Sequence, residues 1–137
     1  MKPSTYTGMV WLQDGSSASI TVPIAYDAEK ECYYLMDLER KIAVADHTMF
    51  FDQGFVSFSS SSDGQTWDNN HLLAFYNYIR VYDFFANMGI YSIDGTGVPI
   101  LVCCDWLDDY GEPFDNASSS GILRGWAVFS MSDANHF

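Results

Sequence analysis

The chain has 137 residues, of which 48% are hydrophobic and 17% aromatic, so it is long and apolar enough to bury the core of one domain. This composition excludes a chain that is disordered throughout. Six basic residues against eighteen acidic ones leave a formal net charge of −12. Such a charge argues against nucleic acid and anionic lipid as partners, because their phosphate groups repel a negative surface.

Membrane and disulfide classes also lack support in the sequence. No apolar run reaches the roughly eighteen residues of a membrane span, and the opening MKPSTYTG lacks the apolar segment of a signal peptide. The cysteines are Cys32, Cys103 and Cys104, an odd number without C-x-x-C spacing. This predicts neither a disulfide framework nor a cysteine-based zinc or redox site, and the adjacent pair is expected to be buried in a strand.

The first third of the chain is predicted to be rich in strands. Turn residues at 14–17 separate two β-prone runs, which predicts a hairpin. Residues 47–58 are apolar and β-prone but interrupted at Gly54, which predicts a bulged strand or two short strands. The other predicted strands of this region cover residues 5–13, 18–26, 31–36 and 41–46.

One long helix is predicted at about residues 69–88, after an exposed Ser-rich loop at 59–65. Apolar residues that recur at steps of three and four predict a buried face. Asp68, Asn69 or Asn70 can cap the helix start, and Gly89 can adopt the left-handed conformation that ends a helix. The predicted buried face consists of Leu72, Tyr76, Ile79, Tyr82 and Phe85.

Two more strands are predicted after the helix. A tight turn at 94–97 precedes VPILVCCDW, whose continuous apolar run is typical of a strand covered on both faces. Residues 107–123 are predicted to form a long acidic and Ser-rich loop, and residues 125–131 a last strand. The predicted class is therefore α+β: a single domain, residues 1–137, in which a mostly antiparallel twisted sheet packs on one long helix.

Known catalytic motifs are absent from the sequence. The histidines His47, His71 and His136 are far apart and no H-E-x-x-H occurs, so each is expected to be a surface or structural residue and no zinc site is predicted. No G-x-S-x-G elbow, phosphate loop or dinucleotide fingerprint is present.

Carboxylates cluster in the segment DWLDDYGEP. Carboxylate oxygens are ligands that calcium prefers, so the cluster gives calcium candidates, although its spacing matches no known calcium loop. A solvated acidic loop is the favoured interpretation. Nearby, Asn116-Ala117-Ser118 matches a glycosylation sequon, which is a frequent chance match. The calcium candidates are Asp105, Asp108, Asp109 and Glu112.

An ordered series of short motifs runs through essentially the whole chain. It consists of YYLMD at 33–37, YDFF at 82–85, SIDGTG at 92–97 followed by a buried strand, the dipeptide Asn116-Ala117, and a strand with a turn at 126–133. Each motif alone is common, whereas their succession is more specific. The series resembles the β-rich N-terminal half of the catalytic domain of thermolysin-like zinc metalloendopeptidases.

The resemblance implies a fragment of a secreted peptidase that acts outside the cell or at its surface on peptide or protein substrates. In this family the helix with H-E-x-x-H begins shortly after the position of Phe137. Zinc, with calcium as a second candidate, is thus expected in the full-length parent but not in this chain. The chain alone is expected to be inactive, and its partner would be the C-terminal half of the domain. Apolar surface left near the C-terminal strand predicts self-association as a homodimer.

The resemblance assigns substrate contacts to Asn116 and Ala117. In the family, the Asn side-chain amide and the Ala carbonyl bind an extended peptide that lies antiparallel to an edge strand. This sequence departs from the pattern immediately afterwards, because Ser118 and Ser119 replace two aromatic residues.

Two other hypotheses remain open at this point. The missing aromatic pair favours a non-catalytic extracellular binding module or a degenerate peptidase homologue. A glycan-binding domain would instead use exposed tryptophan side chains, for which the candidates are Trp11, Trp67 and Trp106.

Overall fold

In the computed structural model, the described residues, 1–90, 95–113 and 117–131, form two β-sheets and one α-helix. The first sheet contains β1 (Lys2–Trp11), β2 (Ser17–Asp27), β3 (Cys32–Tyr34) and β6 (Ser60–Ser61), in that spatial order. The second contains β4 (Met36–Asp37), β5 (Ile42–Asp46), β7 (Ile100–Cys104), β9 (Trp126–Met131) and β8 (Ala117–Leu123), again in spatial order.

Most pairings between these strands are antiparallel, and the predicted α+β class is confirmed. The exceptions lie in the middle of the second sheet, where β7 is parallel to both β5 and β9. Helix α1 (Asn69–Ala86) connects β6 to β7, and it contacts β1, β5 and β7. The predicted single sheet is thus two sheets, and the helix contacts strands of both.

Helix α1 begins and ends with the predicted signals. Asp68 has an extended backbone, and its carboxylate accepts a hydrogen bond of 3.1 Å from the His71 N–H. After the helix, Gly89 has a left-handed φ of +82°, and the Ile90 N–H donates to the Phe85 carbonyl at 3.0 Å. Among the described residues, no helix is both long and apolar enough to cross a bilayer.

The buried face of α1 is shorter than the sequence predicts. Leu72, Phe75 and Ile79 are buried against the sheets, whereas Phe85 is 42% exposed. The prediction that Phe85 belongs to the buried face is therefore wrong. Helical periodicity shows which side chains share a face, but it does not show where the packing partners of that face end.

The central strands of the second sheet are covered on both faces. All five residues of β7 are buried, which confirms the prediction from its continuous apolar run. Even-numbered β7 residues pack in the core beneath α1, and Leu101 and Cys103 pack in a second cluster with Phe50. Burial raises the pKa of the Cys103 thiol to about 12 and that of Cys104 well above its usual value, so both thiols stay neutral.

The segment at 47–58 does not form the predicted bulged strand or pair of strands. Met49–Gln53 is a π-helical turn, closed by Gly54 in the left-handed conformation at φ +81°. The Asp46 carboxylate accepts a hydrogen bond of 2.9 Å from the Met49 N–H, which favours a turn immediately after β5. Only an isolated antiparallel bridge between Phe58 and Ala45 keeps β character.

The structure corrects the predicted bounds of three other segments, because strand pairing divides or extends them. The predicted strand 31–36 divides at Leu35 into β3 and β4, which belong to different sheets. The predicted loop 59–65 contributes β6, which pairs with β3. The predicted loop 107–123 ends in β8, which pairs with β9 over seven residues that are mostly Ser, Gly and apolar.

Candidate functional site

Strand β8 forms one edge of the second sheet. It pairs with β9, and no strand of the described residues pairs with its other side. The register shifts between Ser119 and Gly121, so Ser120 is an extra residue and the strand carries a β-bulge. Most of its side chains are exposed, including Ser118 and Ser119.

A two-residue turn fixes the far end of β8. Arg124 and Gly125 both have positive φ, at 53° and 83°, as tight hairpin turns between antiparallel strands require. The Arg124 guanidinium lies 4.8 Å from the centre of the Phe50 ring and donates a hydrogen bond to the Phe50 carbonyl. The edge strand is therefore anchored to the π-helical turn at the end opposite Ala117.

Of the two residues assigned to substrate by resemblance, one is described by the structure. Ala117 is the first residue of β8, lies opposite Met131 of β9 and is half-buried. Asn116 lies outside the described residues. Ser118 and Ser119 follow directly on the exposed edge.

An edge strand of this kind has a definite binding capability. Alternate residues of an antiparallel edge strand direct their N–H and C=O groups away from the neighbouring strand. An extended peptide can pair with those groups irrespective of its sequence, while the side chains around the edge set its specificity. Edge strands are commonly protected by bulges and short length. β8 carries a bulge but remains seven residues long.

The calcium candidates do not converge on one point. Asp105 bonds to His71, and one carboxylate oxygen of Asp108 accepts hydrogen bonds of 2.8 and 3.0 Å from the N–H groups of Tyr110 and Glu112. Among residues 1–90, 95–113 and 117–131, no three or more His, Cys, Asp or Glu side chains are placed to hold a metal ion together. Asp109 and Glu112 are exposed.

His71 joins the start of α1 to the carboxyl end of β7. Its Nε2 lies 2.7 Å from Oδ2 of Asp105, and its Nδ1 lies 2.9 Å from Oγ of Ser59. Asp105 has a left-handed φ of +64°, a rare conformation that Asp tolerates better than most residues. Hydroxyl, imidazole and carboxylate thus form one hydrogen-bonded chain, the three groups used in serine hydrolases.

Nearby carboxylates favour the charged form of the imidazole in this chain of groups. Burial disfavours the charged ring, but the hydrogen bond that Asp105 accepts and the charges of Asp105, Asp68 and Asp46 outweigh it and raise the pKa of His71. When the imidazole is protonated, it donates from both nitrogens and Ser59 accepts one of the two hydrogen bonds. The chain of groups ties the start of α1 to the carboxyl end of β7.

His47 is the structural residue that the sequence predicts. Its ring lies between those of Phe51 and Trp106, with centroids 4.4 and 4.9 Å away and nearly parallel planes. Burial lowers the pKa of His47 even though Asp52 and Asp46 act to raise it. His136 lies outside the described residues.

The tryptophans proposed for glycan binding do not form a shared exposed surface. Trp106 is half-buried and stacks on His47. Trp67 is also half-buried, and its indole N–H donates to the Gly64 carbonyl at 3.3 Å. Trp11 is 58% exposed on β1, in the other sheet.

A second charged network joins two of the sequence motifs. Arg40 binds both oxygens of Asp83 on α1, at 2.8 and 3.1 Å, and also binds Asp37 at 2.7 Å. The Asp37 side chain is 2% exposed, and its other oxygen accepts from the N–H groups of Glu39 and Arg40. Asp37 ends the YYLMD motif and Asp83 lies in the YDFF motif, so one guanidinium connects them.

Neither the His71 network nor the Arg40 network could be predicted from the sequence. His71 and Asp105 are 34 residues apart, and Arg40 and Asp83 are 43 residues apart. No spacing rule links such partners. The one available signal is that Asp37 and Asp83 lie in the motifs that carry the family resemblance.

Comparison with known proteins assigns no family to this chain. No protein-family model matches the sequence, and neither does any curated protein. The resemblance to thermolysin-like metalloendopeptidases therefore rests on the ordered motifs alone.

Proposed function

We propose that this chain is the N-terminal part of the catalytic domain of a secreted, thermolysin-like zinc metalloendopeptidase, and that β8 is the edge on which peptide substrates dock. The observation that carries the proposal is that Ala117, of the Asn116-Ala117 motif, begins an exposed edge strand. Main-chain pairing with such an edge suits an endopeptidase, because it holds extended substrates of varied sequence.

The network around Arg40 gives independent support. A guanidinium that holds two carboxylates fixes the turn after β4 against α1. Asp37 and Asp83 belong to different motifs of the resemblance, and a shared structural role explains why both occur in one sequence. The proposal thus rests on an edge strand and on a contact between two motifs.

Within the proposed enzyme, this chain binds and orients the substrate. The Ala117 carbonyl and the Asn116 side-chain amide would hydrogen-bond the peptide backbone, and β8 would hold it extended. Bound zinc supplies Lewis-acid chemistry for peptide hydrolysis. In the proposed enzyme, an H-E-x-x-H motif in the C-terminal half of the domain would hold the zinc.

The decisive experiment is to read the gene beyond Phe137. We expect an H-E-x-x-H motif within the next few dozen residues and a glutamate ligand further downstream. A stop codon directly after Phe137 would contradict the proposal.

A complementation assay tests the role of the chain directly. Mixed with the separately expressed C-terminal half and zinc, the chain is expected to restore casein hydrolysis, whereas the chain alone shows none. Asn116→Ala should lower kcat/KM about tenfold, the effect of losing one hydrogen bond. Ser118→Ala, two residues further along the chain, is the matched control and should leave kcat/KM nearly unchanged.

A second candidate function is a non-catalytic peptide-binding module related to these peptidases. The observation in its favour is that Ser118 and Ser119 stand where the family has two aromatic residues. This module would bind extended peptides at β8 without hydrolysing them, and its gene would lack the H-E-x-x-H motif. Peptide binding combined with a stop codon after Phe137 would favour it over the enzyme.

A further inference from the structure

The region around β8 has a one-sided charge distribution. Between Val81 and Leu123 the sequence contains no Lys, Arg or His. The acidic residues of this stretch are Asp83, Asp94, Asp105, Asp108, Asp109, Glu112 and Asp115. The next charged side chain along the chain is the cation Arg124, at the opposite end of β8.

The acidic loop lies close to the first residue of β8. Pro113 pairs with Leu107 in an isolated bridge, and the four-residue step from Pro113 to Ala117 spans at most about 14 Å. At the start of the loop, the Trp106 N–H donates to the Met131 carbonyl at 3.1 Å, and Met131 lies opposite Ala117. Both ends of the loop are therefore fixed near Ala117.

The loop presents negative charge that the described residues leave unneutralised. Asp105 forms a salt bridge with His71, but Asp109 and Glu112 are exposed and make no salt bridge within the described part of the chain. At the Leu123 end, the Arg124 guanidinium lies over Phe50. Along the chain, β8 is thus preceded by an acidic loop and followed by a cation.

The charge difference between the two ends of β8 acts on different halves of a bound peptide. A peptide antiparallel to β8 places its C-terminal half beside Ala117 and its N-terminal half beside Leu123. We propose that the β8 edge selects extended peptides with Lys or Arg in the C-terminal half. The inference rests on the proposed docking function of β8 and adds the substrate class to it.

The expected selectivity is modest and depends on salt. Interactions between exposed charges change an affinity by about two- to fivefold each. Their range shrinks from about 10 Å at 0.1 M salt to about 3 Å at 1 M salt. Selection by charge should therefore be strongest at low salt, whereas main-chain pairing persists at high salt.

The test uses three acetylated and amidated fluorescent peptides of equal length with alternating Val and Thr. One carries two Lys residues in its C-terminal half, one carries them in its N-terminal half, and one carries two Glu residues in its C-terminal half. Fluorescence anisotropy with the whole chain at low salt is expected to rank the first peptide about two- to tenfold above the second and further above the third. The ranking should disappear at 1 M salt.

Paired variants identify the source of the selectivity. Asp109→Asn with Glu112→Gln should remove most of the difference between the first two peptides. Glu29→Gln with Glu31→Gln changes the net charge equally but lies in the turn between β2 and β3, so it should leave the ranking intact. An equal loss in both double variants would show that net charge acts without local selection, which would overturn the inference.

Failure of the inference is distinguishable from failure of the docking function. Equal binding of all three peptides, with increased hydrogen-exchange protection of β8 amides, would overturn the charge selection and keep β8 as the docking edge. Binding that protects other strands, or no binding of any peptide, would contradict both. Ser119→Pro removes one N–H in the middle of β8 and should weaken all three peptides alike, with circular dichroism checking that the variant folds.

Discussion

The two halves of helix α1 are held in the fold by different forces. The first half is fixed by burial, and Phe75 and Ala74 are 0% exposed. The second half is even richer in apolar residues, yet Phe84 is 61% and Phe85 42% exposed. Beyond Ile79, which is still buried, the ion pair between Asp83 and Arg40 holds the helix to the turn after β4. Similar composition therefore produces a core at one end of the helix and an exposed apolar surface at the other.

Each half also carries one charged anchor, and the anchors respond differently to pH. His71 in the first turn holds Asp105 and Ser59, while Arg40 holds the second half through Asp83. A guanidinium stays charged at any pH at which proteins fold, whereas an imidazole changes its charge near neutrality. The start of the helix is thus tied by a pH-dependent contact and its later turns by a permanent one.

The largest expected effect comes from truncating the buried half. Phe75→Ala should lower the free energy of unfolding by about 3–5 kcal/mol, because it leaves a cavity where a fully buried ring was. Phe84→Ala is the matched control, since it removes the same group from an exposed position and should cost less than about 1 kcal/mol. Urea unfolding followed by circular dichroism measures both. Equal losses of stability in Phe75→Ala and Phe84→Ala would contradict the distinction between a buried and an exposed half of α1.

Removing the permanent anchor should have the next largest effect. Arg40→Met leaves the buried Asp37 carboxylate with two backbone hydrogen bonds but no cation. We expect a loss of about 2 kcal/mol, below the 3–5 kcal/mol typical of fully buried pairs, because Arg40 is partly exposed. Asp83→Asn, whose side chain is 47% exposed, should cost about 1 kcal/mol or less.

A double variant checks that explanation. If an unpaired buried carboxylate causes the loss, Asp37→Asn combined with Arg40→Met should be more stable than Arg40→Met alone. If the double variant is as unstable as the sum of both single variants, the two residues act independently and the explanation fails.

The pH-dependent anchor gives a smaller effect with a defined sign. The pKa of His71 is raised in the folded chain, so its charge contributes stability that is complete below the unfolded value of about 6.5 and is lost as pH rises through the folded pKa. His71→Gln should cost about 1 kcal/mol at pH 5, because a partly exposed, charge-assisted hydrogen bond is lost. The difference from wild type should shrink as the pH increases to 9.

His47 provides the opposite pH dependence as a control. Its pKa is lowered by burial, so its contribution is present above pH about 6.5 and is lost as pH falls through the folded pKa. The wild-type chain should therefore lose stability on acidification as His47 becomes protonated, and His47→Gln should remove this loss. If the stability difference from wild type changed with pH in the same direction for His71→Gln and His47→Gln, the opposite pKa shifts assigned to the two histidines would be wrong.

The helix and the buried strands could be predicted because their signals are local. Asp68 and Gly89 mark the helix ends, and the uninterrupted apolar run of β7 indicates burial on both faces. Strand β8 could not be predicted, because Ser and Gly have weak β propensity and the strand exists through pairing with β9 across a tight turn. Its edge position, which carries the proposed function, follows only from the spatial order of the strands.

The failures at the π-helical turn and at Phe85 have a common cause. Apolar side chains at 47–58 suit a strand or a buried turn equally well, and the Asp46 carboxylate selects the turn through a local hydrogen bond. Phe85 continues the helical period correctly but lies among exposed neighbours. Sequence patterns give the preferred local geometry, whereas burial depends on which other elements are present at that point in space.

The exposed end of α1 leads to the prediction with the smallest effect on stability. Val81, Phe84 and Phe85 of α1 and Met88, two residues beyond its end, are all more than two-fifths exposed, at 44, 61, 42 and 56%. Contiguous exposed apolar surface of this kind favours association. Phe84→Ser should change the free energy of unfolding by about 0.5 kcal/mol or less but reduce self-association of the chain.

Light scattering at several protein and salt concentrations measures this self-association. Because the net charge is −12, copies of the chain repel each other at low salt, and association should strengthen as salt screens that repulsion. Phe84→Leu keeps the apolar surface and should associate like wild type. A wild-type chain that stays monomeric at high concentration and high salt would show that the apolar end of α1 does not drive self-association. Association that weakens with salt would instead indicate a charged interface elsewhere.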